Sequence, residues 1–202
     1  MKIYLTQHYL PNHVELFNLT SPINLTYANA NKYIYVSNST PRCPDRKVWW
    51  EKIAWIKEFL NTIEDGSLVS YQDCDSINIS GDLESALGGK EYGMVQLRQG
   101  SGGEQLMDWF NAGVIIMINT PDVRAYFDRV WTRNDDTDET SMNKELKSNG
   151  WGITINKPIC SLDAGWNCWK NNEHFASGIK IKSWHGMSYN DKVIDIKKYL
   201  NK

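Results

Sequence analysis

No stretch of the chain approaches the roughly 20 consecutive apolar residues that a bilayer-spanning helix needs. The first residues, MKIYLTQHYLPNHVE, have no long apolar core of the kind a secretory signal carries. An excess of charge is also lacking: 22 Lys and Arg against 24 Asp and Glu leave a formal net charge of -2, too weak a field to gather nucleic acid or an anionic membrane surface. Cys43, Cys74, Cys160 and Cys168 form no CxxC pair, which argues against a zinc site or a dithiol redox motif and for buried free thiols. The first strand candidate, IYLTQHYLPN, is followed by no glycine cluster, and this excludes a phosphate-cradling loop there. Sequons at Asn18, Asn24, Asn38 and Asn78 are what an asparagine-rich chain produces by chance, and without a signal they carry no weight. These absences together lead to the expectation of a soluble, cytoplasmic protein whose partners are neither nucleic acid nor membrane.

What is present suits a well-packed domain. The 202 residues are 41% hydrophobic and 12% aromatic, enough for one core, and no linker divides the chain, so a single domain over residues 1–202 is expected. Strand and helix signals alternate, the pattern of an α/β domain around a mostly parallel sheet. KYIYVSN reads as a strand, and RKVWWEKIAWIKEFLNTI as an amphipathic helix with Trp49, Ile53, Ile56 and Leu60 on one face. DGSLVSYQD and YGMVQLR read as strands with the short helix GDLESAL between them. NAGVIIMIN is almost unbroken in its apolar character, as a central strand covered on both faces should be. TPDVRAYFDRVW then opens a helix with Thr120 as cap and Pro121 in first position. TDETSMNKELKSN and DKVIDIKKYLNK read as further helices, and GITIN and IKIKSW as strands. The glycine-rich RQGSGGEQ, Arg98 to Gln105, reads as a mobile loop able to close over a ligand.

The chemistry centres on YQDCDS. If its strand ends near Gln72, Asp73 and Asp75 stand at the carboxyl edge of the sheet, where such folds bind ligands. Two residues apart in extended chain they point the same way, and like charges so close repel unless a cation lies between them. A hard divalent ion is the natural partner.

The order DxD, FNAGV, DETSMN and SWHG resembles the GT-A nucleotide-sugar glycosyltransferases, most closely the retaining galactosyl-, xylosyl- and mannosyltransferase and glycogenin-like families. Trp50 and Lys52 of WWEK match the WxK helix found in part of that group. The resemblance covers about Lys32 to Lys192 and implies the GT-A (nucleotide-diphospho-sugar transferase) fold, with a mostly parallel central sheet flanked by helices. It implies a UDP-sugar donor, Mn²⁺ or Mg²⁺ as metal, and a carbohydrate or glycan acceptor. Residue by residue, it implies Asp73, Asp75 and His185 as metal ligands. Asn111 would line the donor-sugar pocket, and Asp138 and Glu139 would face the sugar, although Glu139 stands where these families usually carry Gln. Asp163, Trp166 and Asn167 would shape the sugar site from the loop SLDAGWNCW. Lys192 would hold the diphosphate, although the HxxG spacing is only partly kept. Trp151, Trp166, Trp169 and Trp184 are expected on the acceptor side, whereas Trp49, Trp50 and Trp55 are expected in the core.

Three alternatives stay open on the sequence: a lectin-like carbohydrate-binding module, an inverting transferase with Asp163 as base, and a sugar-phosphate nucleotidyltransferase, the last disfavoured by the missing glycine loop. A compact transferase without an anchor suits a bacterial or viral enzyme.

Overall fold

All six residues of β1 (Ile3–His8) are buried, because the strand is covered on both faces. The computed structural model describes residues 1–99, 105–133, 135–169 and 176–201. β1 runs parallel to β2 (Ile34–Asn38) on one side and to β3 (Leu68–Asp73) on the other. Beyond β3 the sheet continues through β6 (Gln105–Ile118) and β5 (Tyr92–Gln99), which pair antiparallel, to β9 (Cys160–Leu162), parallel to β5. The six-stranded order is β2-β1-β3-β6-β5-β9. β6, the apolar run NAGVIIMIN extended back to Gln105, has a partner on each side, as expected of a central strand.

The two late strand signals fall elsewhere. The IKIKSW segment forms β10 (Ile181–Ser183), which pairs with β4 (Ser76–Asn78) in a small separate sheet. GITIN contributes β7 (Gly152–Thr154), paired only with β8 (Lys157–Pro158).

One face of the main sheet is covered by α2 (Trp50–Thr62), α4 (Pro121–Arg133) and α5 (Asp138–Ser148), whose Ile53, Ile56, Leu60, Tyr126, Phe127 and Met142 pack on Val69, Tyr71, Ile115 and Met117 of the strands. Thr120 is the cap the sequence announces for α4, and Thr137 caps α5. The Val123 amide donates to Thr120 Oγ1 at 3.3 Å, and the Thr140 amide to Thr137 Oγ1 at 3.0 Å. Trp49 departs from expectation: it precedes α2 as its cap, half exposed, and Trp50 takes the buried place.

α1 (Val14–Ala30) packs against β2 and β4, and α6 (Tyr189–Leu200) meets it around Leu16, Ile77, Trp184 and Ile196. A short α3 (Leu83–Ala86), capped by Asp82, adds Leu83 to a further cluster with Val114, Leu162 and Trp166. Among the described residues no helix is long and apolar enough to cross a membrane. Among the described residues no disulfide joins the four cysteines.

Candidate active site at the carboxyl edge of the sheet

Asp73 ends β3 directly beside His8, its register partner at the end of β1. The turn that follows is held by its backbone. The Asp73 carbonyl accepts from Gln7 Nε2 at 3.1 Å, the Cys74 carbonyl from Thr20 Oγ1 at 2.8 Å, and the Ser76 carbonyl from Asn24 Nδ2 at 2.9 Å. Asn24 in turn takes the Asn78 amide at 2.8 Å, so two of the four sequon asparagines are buried in this network. Gln7 of β1 and the polar face of α1 together therefore fix the turn that carries both carboxylates.

A second element presents polar groups from the opposite side. Between Asn111 and Ile115, three residues of β6 bulge out of the β5 ladder and free their peptide groups. The Ala112 amide donates to Glu139 Oε2 at 3.0 Å and the Gly113 amide to Asn111 Oδ1 at 2.9 Å, while the Ala112 carbonyl accepts from Lys52 Nζ at 2.8 Å. Lys52 Nζ also lies 3.1 Å from Asp73 Oδ1 and 3.2 Å from Asp138 Oδ2. One part-buried ammonium thus joins α2, β3, β6 and the start of α5. Glu139 accepts further from Trp109 Nε1 at 3.0 Å and Asn111 Nδ2 at 3.1 Å.

His185 lies on the bulge. A Cβ on Gly113 would stand 2.2 Å from its Cε1 and 2.3 Å from its Nε2, so the imidazole can approach the strand only because residue 113 is glycine. Its Nε2 is 2.8 Å from Asn167 Oδ1, and Asn167 Nδ2 is 2.6 Å from Asn111 Oδ1.

Asp73, Asp75 and His185 each bring a ligand atom within 4.8 Å of the others. Burial raises the Asp73 carboxyl above its ordinary range, with Lys52 opposing the rise and Asp75 adding to it. Burial pushes Asp75 in the same direction, but His185 and Lys192 outweigh it and hold its carboxyl low. Lys192 Nζ sits 2.6 Å from Asp75 Oδ2, whereas the buried Oδ1 has no hydrogen-bond partner. Two carboxylates and an imidazole, one of whose oxygens is buried and unpartnered, fit a hard or borderline divalent cation.

Asp73, Asp75, Asn111, Asp138, Glu139, His185 and Lys192 line one cavity of about 480 Å³. The remaining sequence candidates lie outside its wall. Asn167 is fully buried behind it as the link between Asn111 and His185. Trp166 packs in the core with Leu162 and Ile181. Asp163 caps a short 3-10 turn, accepting from the Gly165 amide at 2.9 Å with Lys180 Nζ 3.4 Å away. The Asp-Ala-Gly order is a turn signal that foreshadows this.

The tryptophans expected on the acceptor side are dispersed. Trp151 packs on the main core and Trp184 on the α1 and α6 cluster, donating to Asp195, and only Trp169 stands against His185. Trp49 lines the cavity instead. Arg46, stacked between Trp50 and Trp131 at 4.6 and 3.9 Å, pins the turn that presents it. His8, Tyr9 and His13 also line the cavity and carry no motif that would single them out in the sequence. Of the expected loop RQGSGGEQ, residues 100–104 are outside the described residues.

No protein-family model and no curated protein sequence matches the chain. Solved structures do match. A glycosyltransferase involved in the glycosylation of the major capsid of PBCV-1 superposes with a TM-score of 0.70 at 12% identity, covering 98% of this chain and 100% of that one. The galactosyltransferase LgtC, solved in complex with donor and acceptor sugar analogs, gives 0.59 at 11% identity, with 95% of each chain covered. The bifunctional glycosyltransferase WbbM gives 0.61 at 11% identity over 96% of this chain and 49% of its own. The fold is therefore GT-A, as the sequence motifs imply.

Proposed function

We propose that the protein is a glycosyltransferase that moves a sugar from a UDP-sugar to an acceptor hydroxyl on a glycan or glycoprotein, with retention of anomeric configuration. Asp73, Asp75 and His185 would hold Mn²⁺ or Mg²⁺. The observation that carries this reading is the meeting of those three side chains within 4.8 Å at the carboxyl edge of a GT-A sheet, where open α/β sheets bind their ligands. When bound, the ion supplies positive charge to a diphosphate leaving group.

The chain's own groups then have definite work. Lys192 Nζ, 2.6 Å from Asp75 Oδ2, is in reach of the same diphosphate. Lys52 keeps Asp73 and Asp138 in place. Asp138 and Asn111, on the cavity wall, are positioned to hold donor-sugar hydroxyls. Trp49 on the rim offers a flat face to an acceptor ring.

Retention is supported by how the cavity carboxylates are used. Apart from the proposed metal ligands, those among the described residues are Glu51, Asp138 and Glu139. Glu51 accepts from the Arg42 and Cys43 amides, Asp138 faces Lys52, and Glu139 takes three N–H donors. None of the three stands free as a base for an acceptor hydroxyl, which an inverting reaction requires.

A panel of nucleotide sugars, each with and without Mn²⁺ and scored for release of free nucleotide, tests the reading. Release from a UDP-sugar that needs the metal is expected. Release from no member of the panel under any condition would overturn it.

A further inference from the structure

We infer that the donor sugar of this protein is an uncharged hexose or pentose, and that Asp138 and Glu139 are the residues that reject a sugar bearing an ionised carboxylate. The inference rests on the function proposed above, in which Asp138 and Asn111 meet the donor sugar, and adds to it the class of sugar.

A ligand carboxylate needs a free cation to meet it, because taking it out of water beside other carboxylates is unfavourable. Among the described residues the cavity wall carries the carboxylates of Glu51, Asp73, Asp75, Asp138 and Glu139 against the ammonium groups of Lys52 and Lys192. Both ammonium groups are engaged. Lys52 Nζ is shared by Asp73 Oδ1 at 3.1 Å, Asp138 Oδ2 at 3.2 Å and the Ala112 carbonyl at 2.8 Å. Lys192 Nζ stands 2.6 Å from Asp75 Oδ2, and what charge it has left is directed, like that of a bound ion, to the diphosphate. His8 and His13 add no charge at neutral pH: burial, with Arg42, takes His8 down to about 4, and burial, with Lys192, lowers His13 below its usual 6.5. A uronate turned the other way, to Val48 and Trp49 on the rim, gains no cation either.

The groups that meet the sugar suit hydroxyls. Asp138 gives Oδ2 to Lys52, and its Oδ1 takes no hydrogen bond among the described residues. Glu139 takes the Trp109 indole N–H on Oε1 and the Asn111 and Ala112 N–H groups on Oε2. The lone pairs left on both carboxylates can only accept. A sugar hydroxyl donates to them, and its oxygen accepts from the hydrogen of Asn111 Nδ2 that Glu139 leaves unused. A uronate oxygen has no hydrogen to give and meets like charge. Glutamine at position 139, which the resemblance implies, would put an NH₂ in place of one carboxylate oxygen and so supply a donor; glutamate removes it. Discrimination of this kind works by leaving the wrong ligand's charge unpaired.

The test is a set of calorimetric affinities at neutral pH in Mn²⁺ for UDP, UDP-glucuronate and UDP-galacturonate, each uronate beside its uronamide, the uncharged isostere of the same size. In the wild type each acid is expected to bind at least about 10-fold more weakly than its amide. Asp138→Asn and Glu139→Gln should each narrow that ratio, which a general loss of affinity would not move, and the wild-type comparison needs neither variant to fold. Acid and amide bound equally in both pairs, or rejected equally while UDP binds, would overturn the inference alone, as would a ratio unchanged in both folded variants. Failure of UDP itself to bind would refute the functional reading and this inference with it.

Discussion

Gly113 and His8 show how much single positions matter. Gly113→Ala drives a methyl into the imidazole of His185, whose nearest atom would be 2.2 Å away, so the ring must leave the bulge. The variant is expected to keep its fold and lose metal-dependent UDP affinity; calorimetry beside a circular dichroism melt checks both, and full affinity in a folded variant would contradict the placement of His185. His8 is buried against Trp55, and burial, aided by Arg42, lowers its pKa from 6.5 to about 4. Between those values the unfolded chain binds a proton that the folded chain refuses, so this contribution is complete above the unfolded pKa and is lost as pH falls toward the folded one. His8→Phe, which keeps a ring on Trp55, should flatten the acid side of the stability curve; urea midpoints measured from neutral pH down to about pH 4 compare the two proteins, and parallel curves would contradict it. Residues of this kind were unequally legible. Asp73 and Asp75 stand out because two like charges at a strand end need a reason. His8 is one histidine among apolar neighbours, and only the parallel pairing of β1 with β3 puts it beside Asp73.

α1 and α2 differ in the same respect. α2 was legible through its apolar periodicity, apart from a first turn in which Trp49 points outward. α1 was not, because the residues it buries are Leu16, Thr20, Asn24 and Ala28, with Pro22 inside. A helix that packs through hydrogen bonds to strand and turn leaves no apolar stripe to count, yet these bonds hold the turn that carries both carboxylates. The bulge in β6 was hidden as well, since NAGVIIMIN reads as a regular strand and the register shift shows only against β5. Lys52 links these elements. Lys52→Met would leave the part-buried Asp73 and the buried Asp138 without their cation, a loss of up to about 3–5 kcal/mol by analogy with broken buried pairs. Urea denaturation should show it, with part of the loss restored in Lys52→Met/Asp138→Asn. A Lys52→Met midpoint equal to that of the wild type would contradict the role given to this lysine.

At the scale of the whole molecule, the alternation of strands and helices announced the α/β class, and the order of motifs announced GT-A. The antiparallel placement of β6 between β3 and β5 was beyond reach, because strand direction depends on connections and not on local pattern. That topology brings residues 73 and 75 of one segment and 185 of another to a single point on the cavity wall, and the central claim is that this point holds a divalent cation on a nucleotide diphosphate. The most direct measurement is a calorimetric titration of UDP into the wild type, Asp75→Ala and His185→Ala, each with Mn²⁺ and with EDTA. The account predicts tight binding by the wild type only when Mn²⁺ is present, loss of that difference in Asp75→Ala, and a smaller loss in His185→Ala, where water can replace one neutral ligand. Wild-type affinity that is the same in Mn²⁺ and in EDTA would contradict it.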